Sequence, residues 1–566
     1  DSATNTNVAT TGNNMLPYGT YEIVETTAPT GYHLADWRQT FTIQEQDEMK
    51  NYTQNGTWCA DDVYRGGVSV VKSDEDWDTS DYQGDATLEG AEYTIYNRSR
   101  NNVMFEGKEI AVDGVVTTIT TAYDSATGTY FASTGNSVLA YGTYEIVETK
   151  APTGYNLADF SRTFTIREEG QMHNYTQKSA ADTANGLNYM HRWCTDPVMR
   201  GTVIIGKVDR ETMQYISLGA ASLAGTKFDI INRSEHPVYI DGVTYAVGDV
   251  IDNVVTAERE VNGNTIIAAI KEDIPYGTYE IRETATGLGY LFDTNSKNQT
   301  ITFEIRNEGE VVYLTDENEQ AFANQVQRED FYFQKKANDS GEEMVKIAWT
   351  VTSVTTGETH VIVTDENGRY DSEFIDHTYN TNANDPDSPI SNGAIGIDEH
   401  GHYYVADSSK LDYDAGTWFT GLKPEITQWA DDGNSYTVIG GTDHVSVVND
   451  TLRAYPYDTY VVQELASDAN EEYNLVSFTI TLKRYNNDPD SNGIKIDYGT
   501  VDDEHVDLYT NLGFNATGFG ATAKAAPAVS DLTLTDTITY SGITAHDEYT
   551  MRGELHLLDE DGNDEG

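Results

Sequence analysis

The string Tyr18-Gly-Thr-Tyr-Glu-Ile-Val-Glu-Thr26 returns unchanged at Tyr141 to Thr149, and once more as Tyr276-Gly-Thr-Tyr-Glu-Ile-Arg-Glu-Thr284. A degenerate copy, Tyr457-Asp-Thr-Tyr-Val-Val-Gln-Glu464, follows. Repetition at domain-sized intervals marks an array of similar modules. The length of 566 residues accommodates several of them. In each copy a strand of period two turns Tyr144, Ile146 and Glu148, or their counterparts, toward one face. Glu25, Glu148, Glu283 and Glu464 are therefore placed among apolar side chains, where an ionised carboxylate needs a partner or takes up a proton.

A lysine shares this predicament upstream. Val68, Val70 and Lys72 alternate inward, as do Val203, Ile205 and Lys207, and Phe331, Phe333 and Lys335. Each lysine follows an arginine at one spacing (65 to 72, 200 to 207, 328 to 335), and the lysine-to-glutamate interval is the same in two modules (72 to 148, 207 to 283). An asparagine closes each module: Asn51, Asn174 and Asn324 pair with Met49, Met172 and Phe322 on one strand face. Desolvation lowers the pKa of a buried lysine and raises that of a buried glutamate, so proton exchange gives a nucleophilic amine beside a neutral acid. The acid can polarise the asparagine amide and pass a proton to departing ammonia, with folding supplying proximity. A plain buried ion pair is the rival reading.

The segments Tyr21-Glu-Ile-Val-Glu-Thr-Thr-Ala-Pro-Thr-Gly-Tyr32 and Tyr144-Glu-Ile-Val-Glu-Thr-Lys-Ala-Pro-Thr-Gly-Tyr155 resemble the E-box of Cna B-type domains, the SpaA-like modules of Gram-positive pilins and adhesins. Lys207-Val-Asp followed by Leu223-Ala-Gly-Thr-Lys-Phe resembles that family's first two strands. The resemblance implies an all-β fold, a tandem array of Ig-like (Cna B-type) β-sandwiches, with intramolecular isopeptide crosslinks assisted by the glutamates. The crosslinks it implies are Lys72–Asn174, Lys207–Asn324 and Lys335–Asp503, with Asn511 as alternative to Asp503; Asn51 would lack its lysine. The expected domains are 1–55, the later part of a module; 65–178; 200–327; 328–506, with an insertion over 356–455; and 507–566. The last, with Leu534-Thr-Asp-Thr-Ile-Thr-Tyr, resembles the start of an ester-bond-type β repeat.

Composition fits an extracellular stalk. Thirty-five basic against 93 acidic residues give a net charge of −58, which opposes nucleic-acid phosphates and anionic lipid. Abundant Tyr, Thr and Gly in short alternating runs suit β-sandwiches, and no apolar run is long enough to span a membrane. Leu16-Pro-Tyr-Gly-Thr20 is not a sorting signal, since no apolar tail follows it. Both ends are expected to be clipped from something longer, and the resemblance implies wall attachment through a sortase-type anchor outside this fragment.

Cys59 and Cys194 occupy equivalent places, too far apart in the array for a mutual disulfide, and are expected to pack with Trp58 and Trp193 at module junctions. No cofactor or metal is expected. Asp488, Asp490, Asn492 and Gly493 begin like a calcium loop, but Gly499 stands where its glutamate belongs. Asp398, Glu399, His400 and His402 straddle a hairpin glycine. The leading reading is a structural stalk of a surface adhesin or pilus-like fibre, single-turnover on itself and otherwise not an enzyme. The alternative is a binding module whose 356–455 segment contacts a host or matrix ligand. A secreted hydrolase has no nucleophile motif in its favour.

Overall fold

The computed structural model describes residues 7–501 apart from 54–56, 78–80, 176–193, 293–299, 316–319, 338–340, 373–392, 414–418, 420–425, 430–434, 439–443, 447–452, 472, 474 and 483–494. The described residues are β-strands and turns, with one short 3-10 turn at Ser408–Lys410. Three two-sheet sandwiches follow a single hairpin in which Gly19–Val24 pairs with Arg38–Ile43.

In module two the lysine strand, Arg65–Asp74, is central in the first sheet. It runs antiparallel to Thr129–Ser133 and Leu139–Ala140 on one side. On the other side it runs parallel to Met172–Tyr175 and then Thr195–Asp196. The glutamate strand, Gly142–Lys150, is central in the second sheet, between Ser161–Ile166 and Glu92–Asn97. Module three repeats the plan with Arg200–Asp209 and Gly277–Ala285. Module four repeats it with Arg328–Lys335 and Asp458–Glu464.

The predicted alternation is visible in the glutamate strands. Gly142, Tyr144, Ile146 and Glu148 are buried while Thr143, Glu145 and Val147 are partly exposed. Each core lies between the two sheets: Val68, Val70, Tyr93, Ile95, Tyr144 and Ile146 in module two, and Phe331, Phe333, Trp349, Tyr460 and Phe478 in module four. The second tyrosine of each repeated string also fixes the strand's entry. Its hydroxyl donates to the carbonyl four residues upstream, Tyr144 to Ala140 at 2.8 Å, Tyr279 to Pro275 at 2.8 Å and Tyr460 to Pro456 at 2.6 Å.

The segment expected as an insertion over 356–455 is in part framework. Thr359–Val363 pairs with Ala348–Ser353, Arg369–Asp371 pairs with the lysine strand, and Phe419 and Tyr455 are core residues. Outside the two sheets lie the hairpin Ile395–Ile397/Tyr403–Val405 and a separate three-stranded sheet, Ile426–Trp429, Ser435–Val438 and His444–Ser446. The calcium-like residues 488–493 and the further repeat over 507–566 lie outside the described residues.

Candidate functional site

Because the lysine strand and the glutamate strand are central in opposite sheets, their inward side chains meet through the core. Lys72 Nζ lies 2.9 Å from Oε1 and 3.0 Å from Oε2 of Glu148. It also lies 2.7 Å from Oδ1 of Asp196, and all three side chains are closed to solvent. Burial, reinforced by the Asp196 charge and opposed by Lys72, raises the Glu148 carboxyl to about 7. Asp196 Oδ1 also accepts the Ala158 N–H at 3.1 Å.

Asn174 is not brought to Lys72. Its strand turns His173 and Tyr175 toward the rings of Phe164 and Phe160, which leaves Asn174 exposed, accepting from the Ser69 hydroxyl at 2.6 Å. The residue beside Lys72 is Asp196, on the next strand piece, which continues alongside the lysine strand through Ser73 and Asp74.

In module three, Lys207, Glu283 and Asn324 converge. Lys207 Nζ donates to Asn324 Oδ1 and lies 3.5 Å from Glu283 Oε2. Asn324 Nδ2 donates to Glu283 Oε1 at 2.6 Å and to the Leu291 carbonyl at 3.1 Å. Burial, opposed by the Glu283 charge and hydrogen bond, lowers the Lys207 ammonium to about 8. The acid thus faces the amide nitrogen that would leave, and the amine faces the amide itself.

Module four holds Lys335 Nζ 3.0 Å from Glu464 Oε2, with the ammonium 5.6 Å from the centre of the Trp349 ring. Buried Asn470, which sequence reasoning missed, donates to Glu464 Oε1 at 3.0 Å. The described strand register ends at Lys335 opposite Val501, and Asp503 and Asn511 lie outside the described residues.

In module one, Asn51 is exposed and its Oδ1 accepts the Thr53 N–H at 2.9 Å. The residues gathered around Glu25 are instead Cys59 and Asp61, with ligand atoms all within 4.8 Å of one another. Cys59 Sγ donates to Glu25 at 2.7 Å, and Asp61 accepts the Ala35 N–H at 3.0 Å as Asp196 accepts that of Ala158. This trio could hold a cation; its carboxylate counterparts in module two, Glu148 and Asp196, hold the Lys72 ammonium.

One signal in the sequence would have found the acidic partners. Asp61, Asp196 and Asn324 each stand four residues before the next module's arginine (65, 200, 328), because the closing strand runs directly into the next lysine strand. The interval from the glutamate instead varies with the preceding loop. The residue two before each is Cys59, Cys194 or Phe322, so the cysteines occupy the apolar place beside the closing residue. Cys194 is buried and belongs to the module-two core, whereas Trp58 is half exposed and Trp193 lies outside the described residues. The expected burial of Cys59 with Trp58 is therefore corrected, Cys59 being exposed, while the pairing of Cys194 with Trp193 lies outside the described residues. Burial, with Glu148 nearby and Lys72 opposing, pushes the Cys194 thiol up.

Asp398–His402 forms a hairpin turn in which His402 Nδ1 lies 3.2 Å from the Asp398 carboxylate, both side chains being exposed.

The SpaA prealbumin-like fold domain family matches residues 1–57, 76–180 and 201–320. No curated protein matches the chain. Among solved structures it is similar to the Bacillus anthracis TIE protein, at 15% identity and TM-score 0.40, over 83% of this chain and 54% of that one. It thus spans about half of that relative's length. It is also similar to BcpA, the major pilin subunit of Bacillus cereus, at 11% identity and TM-score 0.24, over 77% of this chain and 99% of that one. A third is the C-terminal fragment of pilus adhesin SpaC from Lactobacillus rhamnosus GG, at 16% identity and TM-score 0.23, over 46% of this chain and 98% of that one. By its repeated strings, its sandwich topology and the three matched segments, the chain belongs to the SpaA prealbumin-like domain family.

Proposed function

We propose that the chain is a stalk segment of a Gram-positive surface fibre or adhesin, its modules welded by amide crosslinks that they form on themselves. The observation that carries this reading is the buried contact of Lys207, Glu283 and Asn324. In module three the neutral Lys207 amine attacks Asn324 Cγ. The nitrogen proton passes through Glu283 to Nδ2, the carbon–nitrogen bond breaks, and ammonia leaves while the acid is restored. In module two the same arrangement around Lys72 and Asp196 condenses an ammonium and a carboxylate to an amide with loss of water, Glu148 relaying the proton. In module four Asp503 stands two residues beyond Val501, as Asp196 stands beyond Cys194 and Asn324 beyond Phe322, which favours Lys335–Asp503 over Asn511. The crosslink in module one would join Asp61, rather than Asn51, to a lysine supplied from outside residues 1–49, which contain none.

The bonds of modules two and three close loops of roughly 120 residues, which in the chain-entropy picture stabilises each module by about 5 kcal/mol. Attachment to a wall through a sortase-type anchor and an extracellular location belong to this proposal. No described helix is long and apolar enough to cross a membrane. The test is a proteolytic digest of the full chain: a branched peptide joining Lys207 to Asn324, and another joining Lys72 to Asp196, are the expected products. Recovery of only the linear peptides overturns the reading.

A second reading, a ligand-binding role in module four, draws support from the separate sheet over Ile426–Ser446, which no other module carries among the described residues. Excising residues 426–446, which leaves the core residue Phe419 in place, should abolish adhesion and spare modules two and three; retained adhesion removes this reading.

A further inference from the structure

The repeated strings hold more than the glutamate site needs. Their first tyrosine and the Gly-Tyr that follows each string (Thr-Gly-Tyr at 30–32 and 153–155, Leu-Gly-Tyr at 288–290) lie at opposite ends of each module, and at every described junction these ends meet. The carbonyl of that glycine accepts an N–H from the residue before the next opening arginine: Gly31 from Tyr64 at 2.8 Å, Gly154 from Met199 at 2.9 Å, Gly289 from Gln327 at 2.8 Å. The carbonyl of that connector residue then accepts the N–H of the next module's tyrosine: Tyr141 at 2.8 Å, Tyr276 at 2.8 Å, Tyr457 at 2.9 Å. A β-bridge flanks each relay, Tyr32 with Val63, Tyr155 with Val198 and Tyr290 with Val326.

The contact leaves no room for side chains. A Cβ on Gly31, Gly154 or Gly289 would lie 2.7 Å, 3.0 Å or 2.7 Å from the ring of Tyr141, Tyr276 or Tyr457. A second loop closes the joint from the side at the two later junctions. Gly84 and Gly219, both at positive φ, lie against the same tyrosines, where a Cβ would come within 1.9 Å of the Tyr276 carbonyl and 2.7 Å of the Tyr457 carbonyl.

An ion pair then ties the next module's opening arginine to a carboxylate just past the previous lysine strand. Arg200 Nη2 lies 3.0 Å from Asp76, side chains 20% and 28% exposed. Arg328 meets Glu211 through Nη2 at 2.6 Å and Nε at 2.7 Å, side chains 0% and 1% exposed, and donates to the Ala454 carbonyl at 2.7 Å. The second pair is bidentate and dry, the geometry in which a charged hydrogen bond is most directional.

We infer that these strings build a locked head-to-tail joint, so that modules two, three and four move as one rigid body, with the arginine–carboxylate latch as its fastening element. Domains joined by small contacts normally swing against each other; here backbone relay, glycine packing and latch fix position, approach and rotation together. The inference stands independently of the crosslinks, since none of its residues is a lysine, glutamate or closing residue of those sites.

The test uses the full chain carrying Cys59→Ser and spin labels on pairs of exposed positions. These are Val247→Cys with Val354→Cys across the three–four joint, and Val112→Cys with Val247→Cys across the two–three joint. Narrow distance distributions are expected in the parent. Glu211→Gln with Arg328→Met, which strands no charge, should widen the first, and Arg200→Gln should widen the second, each by about twofold or more as the modules gain the freedom usual for tandem domains. Because Arg200 is partly exposed, its variant keeps the test decisive if the buried double variant fails to fold. A parent distribution already broad, or variants as narrow as the parent, overturns the inference.

Discussion

The ammonium nitrogen of Lys72 lies 2.7 Å from Asp196 and 2.9 Å from Glu148, with all three side chains closed to water. One positive charge faces two carboxylates, so full ionisation would leave a net buried negative charge, which burial disfavours strongly. Burial, with this second carboxylate beside it and Lys72 opposing, raises the Glu148 carboxyl to about 7, so the site takes up a proton far more readily than an exposed pair would. Module three solves the same problem with a neutral amide, Asn324, in place of the second acid.

The two modules should consequently shed different molecules. Intact-mass measurement of the mature chain should find module two short by one water and module three by one ammonia. Asp196→Ala should abolish only the first loss and Asn174→Ala neither, while Asn324→Asp should convert the second from ammonia to water. An effect of Asn174→Ala on the module-two mass would contradict the placement of Asp196.

Glu283→Ala should leave Lys207 and Asn324 unjoined and strand a buried ammonium. Loss of one member of a buried charged pair costs about 3–5 kcal/mol, and the missing crosslink adds about 5 kcal/mol. Calorimetry should show module three melting well below the others, with its full sequence mass retained.

Acidity should act on module two in a definite direction. Glu148 binds its proton more tightly folded, at about 7, than at its ordinary value of 4.5. In the uncrosslinked Asp196→Ala variant the Asp196 contribution to the shift is gone, so stability should fall as pH rises above 4.5 over a narrower window, by less than about 3 kcal/mol. Burial, the largest cause of the shift, persists in this variant. Thermal midpoints of the variant across a pH series check the sign; a midpoint rising over that interval contradicts it.

Tyr279→Phe should remove the hydrogen bond to the Pro275 carbonyl and leave that buried acceptor unmatched. The expected cost is about 1 kcal/mol, read as a lowered unfolding midpoint of module three with the ammonia loss unchanged.

Alkylation should separate the two thiols. Cys59 is exposed, although burial and Glu25 raise its thiol to about 11, whereas Cys194 is enclosed. In the native chain Cys59 should react slowly and Cys194 only after denaturation, as followed by mass.

The fold was legible because its strands obey a period of two: Tyr144, Ile146 and Glu148 could be placed on one face from spacing alone, and so could Val68, Val70 and Lys72. The lysine–glutamate meeting followed from charge, since neither group tolerates burial unaccompanied. Asp196 and Asp61 were harder. Their strand is cut in two, and the first piece, Met172–Tyr175, carries an asparagine that imitates the closing residue in type and interval but points outward. Counting from the next arginine recovers them, because only three residues, the middle one (Val63 or Val198) held in a β-bridge, separate each aspartate from it. The joints were harder for a different reason: their relay is made of carbonyls, amides and absent side chains, and the spacing of Arg200 and Arg328 does not name their carboxylate partners, Asp76 and Glu211.

The parallel pairing of each closing strand with its lysine strand determines how a module answers a pull. The chain enters at one end of this pair and leaves at the other, so tension slides the two strands lengthwise past each other and strains all their rungs together. An antiparallel exit would open like a zipper, one rung at a time. The first and last strands of a module are thus loaded in shear through their backbone hydrogen bonds alone, with or without the proposed crosslink.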